Sequence, residues 1–157
     1  MRSPQEVLQQ EASRLRRFAY SLTTNIEDAD DLVHDVALKV LEKGLPDYDN
    51  PIPWLLTLTR NLWIDKMRQQ SVRQKYSEQE QLDENTTSDA IAQLHSARIL
   101  EGLKNLPEKQ RTVLSLVALE GLSYQETASL LDLPIGTVMS RIARARQYLQ
   151  KTFKEKE

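Results

Sequence analysis

The sequence predicts an all-α protein with two small helical domains joined by a flexible linker. Only four glycines occur among 157 residues, and long stretches rich in Leu, Ala, Glu, Gln, Lys and Arg favour helix. No strand-like alternation stands out. The segment from Gln69 to Asp89 carries three sizeable apolar residues, too few to offset the entropy of ordering it. We therefore expect a first domain over residues 1–70, a linker over 71–89 and a second domain over 90–157.

The composition argues against several classes of protein. Cysteine is absent, which excludes disulfides, cysteine-bound zinc and thiol nucleophiles. The two histidines, His34 and His95, are too few for a metal cluster. No apolar run approaches the length of a membrane span, and the amino terminus lacks the apolar core of a signal peptide. We expect a cytoplasmic protein that has no cofactor or bound metal and does not insert into membranes.

Apolar residues at helical spacing predict three helices in the first domain, over Gln5–Leu22, Asp28–Lys43 and Trp54–Met67. Gly44 ends the second, and the proline-rich loop LPDYDNPIP leads into the third. The third helix places Trp54, Leu55, Leu58 and Leu62 inward. Its exposed polar stripe comprises Thr57, Asn61, Asp65 and Arg68, flanked by Arg60.

The second helix has an acidic outer side with a leucine in its midst. This side comprises Asp31, His34, Asp35, Leu38 and Glu42. An acidic face alone is usually solvated surface, but the exposed leucine indicates a protein partner. The three arginines of the first helix, Arg14, Arg16 and Arg17, fall mostly on its outer side.

In the second domain, helices are expected over Ala90–Leu103 and from Pro107, followed by a helix-turn-helix over Leu122–Leu149. Ser123 and Glu126 form a capping-box pattern, and Asp132–Pro134 makes the turn. Val138, Ile142, Ala145 and Leu149 then recur as an inward stripe. The opposite side carries Thr137, Ser140, Arg141, Arg144 and, further round, Arg146.

The window from Ile135 to Lys154 holds five Lys or Arg and no Asp or Glu, in a chain of net charge -2. A capped helix, a short turn and a basic second helix are typical of proteins that place the second helix in the major groove. The sequence therefore predicts DNA contact at this helix.

Three blocks in this order resemble the bacterial extracytoplasmic-function sigma factors, group 4 of the sigma-70 family. Leu15–Lys43 is similar to the early helices of the family's second region, and Pro53–Arg68 to the helix of that region that meets the minus-ten promoter element. Leu106–Arg146 is similar to region four. The resemblance implies a non-enzyme that binds core RNA polymerase, directs it to promoter DNA, helps melt the duplex and is held by an anti-sigma factor.

The resemblance also implies roles for individual residues. The minus-35 readers are expected to be Thr137, Ser140, Arg141 and Arg144, with Arg146 nearby. The minus-ten surface is expected to comprise a base-capturing loop, with Asp47, Tyr48, Asp49 and Asn50, and the stripe of Thr57, Arg60, Asn61, Asp65 and Arg68. The polymerase-docking surface is expected to comprise Asp31, His34, Asp35, Leu38 and Glu42.

The chain departs from the family's usual pattern at four places. One is the loop before Trp54, which is short and proline-rich, so the identity of the captured base does not follow from the resemblance. Met139 stands where many relatives carry Arg or Lys, so one DNA contact is expected to be missing. Asp132 occupies a turn position where a small residue is frequent, which Asp tolerates at modest cost. His34-Asp35 replaces a commoner Gln-Glu pair and keeps the acidic character.

Two other functions remain open from the sequence. A sigma-like decoy that occupies an anti-sigma factor is expected to have lost its DNA-reading residues, whereas here the basic helix is intact. The second open function is that of a helix-turn-helix regulator that acts on the polymerase from outside. Nothing in the first two blocks resembles a ligand or receiver domain, which disfavours this function. A metal enzyme using Asp30, Asp31, His34 and Asp35 is disfavoured, because neighbouring carboxylates point around a helix.

Overall fold

The computed structural model describes residues 2–47, 49–74 and 97–155. Over these ranges the chain is helical and contains no strand, which confirms the all-α prediction. The first module comprises α1 Pro4–Thr23, α2 Ile26–Lys43 and α3 Ile52–Gln74. The second module comprises α4 Ala97–Lys104, α5 Glu108–Leu114, a π-helical turn Ser115–Leu119, α6 Tyr124–Leu131 and α7 Ile135–Glu155.

The ends of the first two helices follow from local hydrogen bonds. Ser3 caps α1 by accepting a hydrogen bond from the Glu6 amide, and Asn25 caps α2 by accepting one from Asp28. α2 therefore begins two residues before the predicted Asp28. Gly44 ends α2 at a φ of 81°, a left-handed geometry that glycine adopts without steric cost.

α3 is longer than the predicted Trp54–Met67 at both ends. The Asn50 side chain accepts a hydrogen bond from the Ile52 amide at 3.1 Å, so it satisfies a free donor in the first turn. At the other end, residues 69–74 continue the helix, although their composition predicts that the linker segment begins at Gln69. Gln and Arg propagate an existing helix at little cost. Residues 75–96, which include most of the predicted linker and the start of the predicted Ala90–Leu103 helix, lie outside the described residues.

The core of the first module lies between α1, α2 and α3. Its fully buried side chains include Phe18, Leu32, Val36, Leu55 and Leu56. The predicted inward face of α3 was only partly right. Trp54, Leu58 and Leu62 are half-buried, whereas Leu56 and Thr59 are fully buried. The first half of α3 carries apolar residues on more than one side, so its periodicity did not define one buried side.

The second module contains the predicted helix-turn-helix. The capping box forms, because the Ser123 hydroxyl accepts from the Glu126 amide while the Glu126 carboxylate accepts from the Ser123 amide. Asp132 ends α6 at a φ of 57°, in the left-handed region. Val138, Ile142 and Ala145 of α7 are buried against the rest of the module. Gly121, at a φ of 75°, makes the turn before α6.

The two modules pack directly on each other. α1 of the first module contacts α4, α5 and the π-helical turn of the second, and α3 contacts α6. The first module therefore lies against the helix-turn-helix side of the second. This arrangement decides which candidate surfaces are open and which are covered.

Candidate nucleic-acid and protein interfaces

The outer side of α7 places its polar residues where the sequence predicted them. Ser140, Arg144 and Arg146 are exposed, and Thr137 is half-buried. Arg141 is also half-buried, because it lines a cleft with Arg60 and Trp63 of α3. The basic side of α7 is thus open around Arg144 and partly covered by the first module around Arg141.

Two apolar side chains flank the polar side of α7. Ile135 is 48% exposed and Met139 is 50% exposed, one helical turn apart. The sequence identified Met139 as a departure from an Arg or Lys position, but the adjacent Ile135 was not singled out. α7 therefore begins with an apolar flank beside the polar one.

The polar stripe of α3 lies beside the second module and remains largely exposed to solvent. Asn61, Asp65 and Arg68 are exposed, but together with Arg60 they line a cleft whose other wall contains Leu131 and Asp132 at the end of α6. Thr57 is half-buried. Its hydroxyl donates to the Pro53 carbonyl at 2.8 Å, which leaves only its acceptor capacity free.

The loop before α3 borders a third cleft between the modules, of about 720 Å³. Asp47, Asp49 and Asn50 are exposed, and Tyr48 lies outside the described residues. The first-module wall is formed by Asp49, Asn50, Pro53, Trp54 and Thr57, and the α6 wall by Ser123, Gln125, Glu126, Ser129 and Leu130. Asn50 already accepts a hydrogen bond from the first amide of α3, so its side chain has a structural role that the sequence did not reveal.

The acidic outer side of α2 is exposed as predicted. Asp31, His34 and Glu42 are exposed, and Leu38 is 53% exposed. Asp35 is half-buried and lies 3.4 Å from the Lys66 ammonium of α3. The structure adds Leu41, which is 50% exposed and three residues from Leu38. The apolar part of this surface therefore contains two leucines.

Charged residues are buried where the modules meet, and no pattern in the sequence predicts their burial. The Glu120 side chain is fully buried, and both its oxygens accept hydrogen bonds from Arg17, at 2.9 and 3.1 Å. Burial raises the pKa of Glu120 above its ordinary value, although Arg17 and Arg14 act in the opposite direction. Arg17, predicted on an outer side, therefore lies in the module contact.

Arg111 is a second buried charge at this contact. Its Nε donates to the Ser21 carbonyl at 2.6 Å and its Nη1 to the Leu106 carbonyl at 2.9 Å. Burial lowers the pKa of the Arg111 guanidinium. Burial also raises the pKa of the Tyr20 phenol, although the positive charge of Arg111 acts in the opposite direction. Both guanidinium groups thus bond across the two modules.

The residues that the structure describes are 2–47, 49–74 and 97–155. These ranges contain no group of three or more His, Asp or Glu side chains placed to hold a metal ion. None of the helices in them is long and apolar enough to cross a membrane.

Comparison with known proteins relates both modules to one family. Residues 7–73 match the family model described as Sigma-70 region 2, and residues 96–149 match Sigma-70, region 4. The ECF RNA polymerase sigma factor EcfG of Rhodopseudomonas palustris is 34% identical over 143 residues, which cover 86% of this chain and 76% of EcfG. The ECF RNA polymerase sigma factor SigE of Mycolicibacterium smegmatis is 32% identical over 96% of this chain, but the chain spans only 61% of that protein.

Solved structures give the same result for the fold. The sigma factor RpoE from Bartonella quintana, in complex with the anti-sigma factor NepR, matches with a TM-score of 0.77 at 27% identity, over 96% of each chain. CnrH, in complex with the cytosolic domain of CnrY, matches with a TM-score of 0.67 at 25% identity, over 98% of this chain and 89% of CnrH.

Proposed function

Because the chain belongs to the extracytoplasmic-function sigma factors of the sigma-70 family, we propose that it binds core RNA polymerase, recognises promoter minus-35 and minus-ten elements and promotes DNA melting. Residues 1–70 form the domain that binds polymerase and the minus-ten element in this proposal, and residues 90–157 form the domain that binds the minus-35 element. The chain is a regulatory subunit, and it works in the cytoplasm, where polymerase is located.

The observation that carries the proposal is a polar, basic helix face backed by a buried apolar one. In α7 the buried Val138, Ile142 and Ala145 fix the helix in its module, while Ser140 and Arg144 remain exposed on the other side. An arginine held in this way can bind guanine O6 and N7 with two hydrogen bonds, a contact that gives about 1–3 kcal/mol of discrimination. Ser140 and Thr137 supply shorter contacts to base edges or phosphates.

The minus-ten role is assigned to α3 and the loop before it. Extruding a base from the stack costs a few kcal/mol, so melting requires a shaped polar site that binds the extruded base. The clefts beside the Asp49–Asn50 loop and the Asn61–Asp65 stripe offer amide and carboxylate groups for this purpose. Arg60 and Arg68 flank the stripe and supply positive charge for the phosphates.

Polymerase docking is assigned to the outer side of α2. Leu38 and Leu41 are about half exposed in the free chain. Full burial of a leucine contributes about 1.5–3 kcal/mol, so covering the remaining half of both side chains contributes roughly that amount in total. The surrounding Asp31, Asp35 and Glu42 supply charge for orientation and for the rate of association.

The same family membership supports an anti-sigma factor as a further partner. RpoE and CnrH, which share this fold, were each solved with a partner protein, in the first case the anti-sigma factor NepR. We expect a comparable regulator to bind this chain and exclude it from polymerase.

Run-off transcription tests the proposal. Purified core polymerase is supplied with the chain and with a library of promoter regions from the same genome, and new transcripts are expected only when both proteins are present. The Arg144→Ala variant serves as a control for the minus-35 contact, and Leu38→Glu for polymerase docking. Tight, sequence-specific DNA binding by the chain alone, without new transcripts, would favour the helix-turn-helix regulator instead. Anti-sigma binding without transcripts or DNA binding would favour the decoy.

A further inference from the structure

We propose that Ile135 and Met139 read thymine in the minus-35 element, by packing against the 5-methyl groups that thymine presents in the major groove. These two side chains form the apolar flank at the start of α7. The inference rests on the proposed function, because it assigns further base contacts to the helix that binds the minus-35 element there. It adds a preference for A·T pairs beside the guanine contact assigned to Arg144.

The first observation is the exposure of the flank. Ile135 and Met139 are 48% and 50% exposed, whereas Val138 and Ile142 of the inward stripe are 0% and 2% exposed. Arg141 lines the cleft shared with the first module. Two residues correspond to a rotation of roughly 200° about a helix axis, so Met139 lies on the side of α7 turned away from that cleft. The flank is therefore accessible to a partner outside the chain.

The second observation is the charge around the flank. The window from Ile135 to Lys154 holds five Lys or Arg and no Asp or Glu. A single exposed apolar side chain is ordinary, but two neighbouring ones in a basic surface favour a partner that combines negative charge with small apolar groups. Duplex DNA has both, because phosphates border the major groove and thymine presents a methyl group within it.

The third observation is the position of the flank along α7. Helix-turn-helix proteins contact base edges with the first residues of their second helix, and Ile135 begins α7. Met139 lies four residues later, which is about 6 Å along the helix axis. Base pairs stack at about 3.4 Å, so the two side chains can reach pairs that are adjacent or one step apart.

The residue between the apolar and polar sides is a glycine that the fold does not require. A Cβ added at Gly136 would meet no other atom within 4 Å, and glycine within a helix is destabilising relative to alanine. Gly136 is exposed, as is Ser140 one turn later. The missing side chain lets the backbone of α7 approach a base edge closely, which brings the flanking Ile135 and Met139 within reach of the methyl groups.

The proposal changes the expected consequence of Met139. Its sequence position predicts the loss of one charged DNA contact. Its exposure beside Ile135 favours a contact of a different kind, in which the flexible thioether side chain adapts to the shape of a methyl group. The flank would then contribute base preference, whereas a lysine at the same place would contribute affinity for phosphate.

Selection from a library of random duplexes identifies the contacted sequence. It is performed with the chain alone and with the chain bound to core polymerase. The parent is expected to select one or two A·T pairs in a fixed orientation beside a G·C pair. The double variant Ile135→Ala/Met139→Ala should lose the preference at the A·T positions only, and Arg144→Ala should lose it at the G·C position only.

Deoxyuridine then isolates the methyl group, because it pairs as thymidine does and differs only by the absent 5-methyl. Fluorescence anisotropy measures the affinity of the chain, in the form that gave the selection, for the selected duplex with and without this replacement. Each contacted methyl should change the affinity of the parent about fourfold, the equivalent of about 0.8 kcal/mol for one buried carbon group. In the double variant the replacement should have no effect, because the apolar partner of the methyl is already missing.

Two further variants separate a base contact from a structural role, after circular dichroism has established that each is folded. Val72→Ala is the matched control, since Val72 is an apolar side chain of α3 that is 59% exposed, and it should discriminate thymine from uracil as the parent does. Met139→Lys should lose the discrimination at one thymine. It should also steepen the slope of log affinity against log salt concentration by about 0.9, because lysine adds one phosphate contact.

Equal affinity of the parent for the thymine and uracil duplexes would overturn the inference, as would discrimination that survives in the double variant. Selection of no sequence in either form would overturn it together with the minus-35 role. Discrimination between thymine and uracil without run-off transcripts would support the inference and count only against the proposed sigma activity. Transcription combined with equal affinity for both duplexes would count against the inference alone, and would leave the flank as a contact for a protein partner.

Discussion

The sharpest stability prediction concerns Arg111, whose guanidinium is buried between the modules and donates to two carbonyls. Hydrogen bonds from a charged donor contribute about 1.5–3 kcal/mol each, and a buried carbonyl left without a partner costs about 1–3 kcal/mol. Arg111→Met keeps most of the buried volume but removes both bonds to Ser21 and Leu106. Burial of the guanidinium also costs hydration free energy, as its lowered pKa indicates, and this cost offsets part of the gain from the two bonds. We therefore expect Arg111→Met to lower the free energy of unfolding by about 2–4 kcal/mol.

Urea unfolding followed by circular dichroism measures this loss. The dependence of the unfolding free energy on urea concentration should be the same in both variants, so that a shifted midpoint reports a change in stability. Arg111→Lys should recover only part of it, because a single ammonium cannot span both carbonyls as the planar guanidinium does. Lys109→Met, an exposed neighbour on the same helix, is the control and should stay within about 0.5 kcal/mol of the parent. If Arg111→Met also stayed within that range, the two carbonyl contacts would not stabilise the fold and the reasoning would fail.

Four further predictions address DNA, polymerase and pH. Arg144→Ala should weaken promoter binding by about 1–3 kcal/mol and relax the preference for one base position in a selection assay. An equal loss of affinity for all sequences would indicate a phosphate contact instead. Asn61→Ala should reduce permanganate reactivity of the open complex more than it reduces initial binding; unchanged reactivity would remove Asn61 from melting. Leu38→Glu should lower affinity for core polymerase in a competition assay while leaving the thermal melting curve in place, and full competition would move the docking surface elsewhere. The raised pKa of Glu120 means that the folded chain binds this proton more tightly than the unfolded chain. The stability of the parent relative to Glu120→Gln should therefore fall as the pH rises from 4.5 towards the raised value, and a difference independent of pH would contradict this.

The sequence by itself determined the local structure and the family. Several local features depend on residues within a few positions of one another. They are the capping box of Ser123 and Glu126, the turn at Asp132 and the helix end at Gly44. The inward stripe of α7 follows in the same way, because a helix with one apolar side can bury only that side. The helical spacing of this stripe also predicted that Ser140 and Arg144 are exposed. Their roles in DNA binding remain predictions.

Only the tertiary structure decided what covers each polar surface. Arg17 and Glu120 are 103 residues apart, and the helical period places a charged residue on an outer side without indicating which element packs there. The same limit applied to α3: its first half carries apolar residues on more than one side, so its buried face depended on the positions of α1 and α2. Burial of a charge is a property of the assembled modules, because it requires a partner group that is distant in sequence and comes near only through packing.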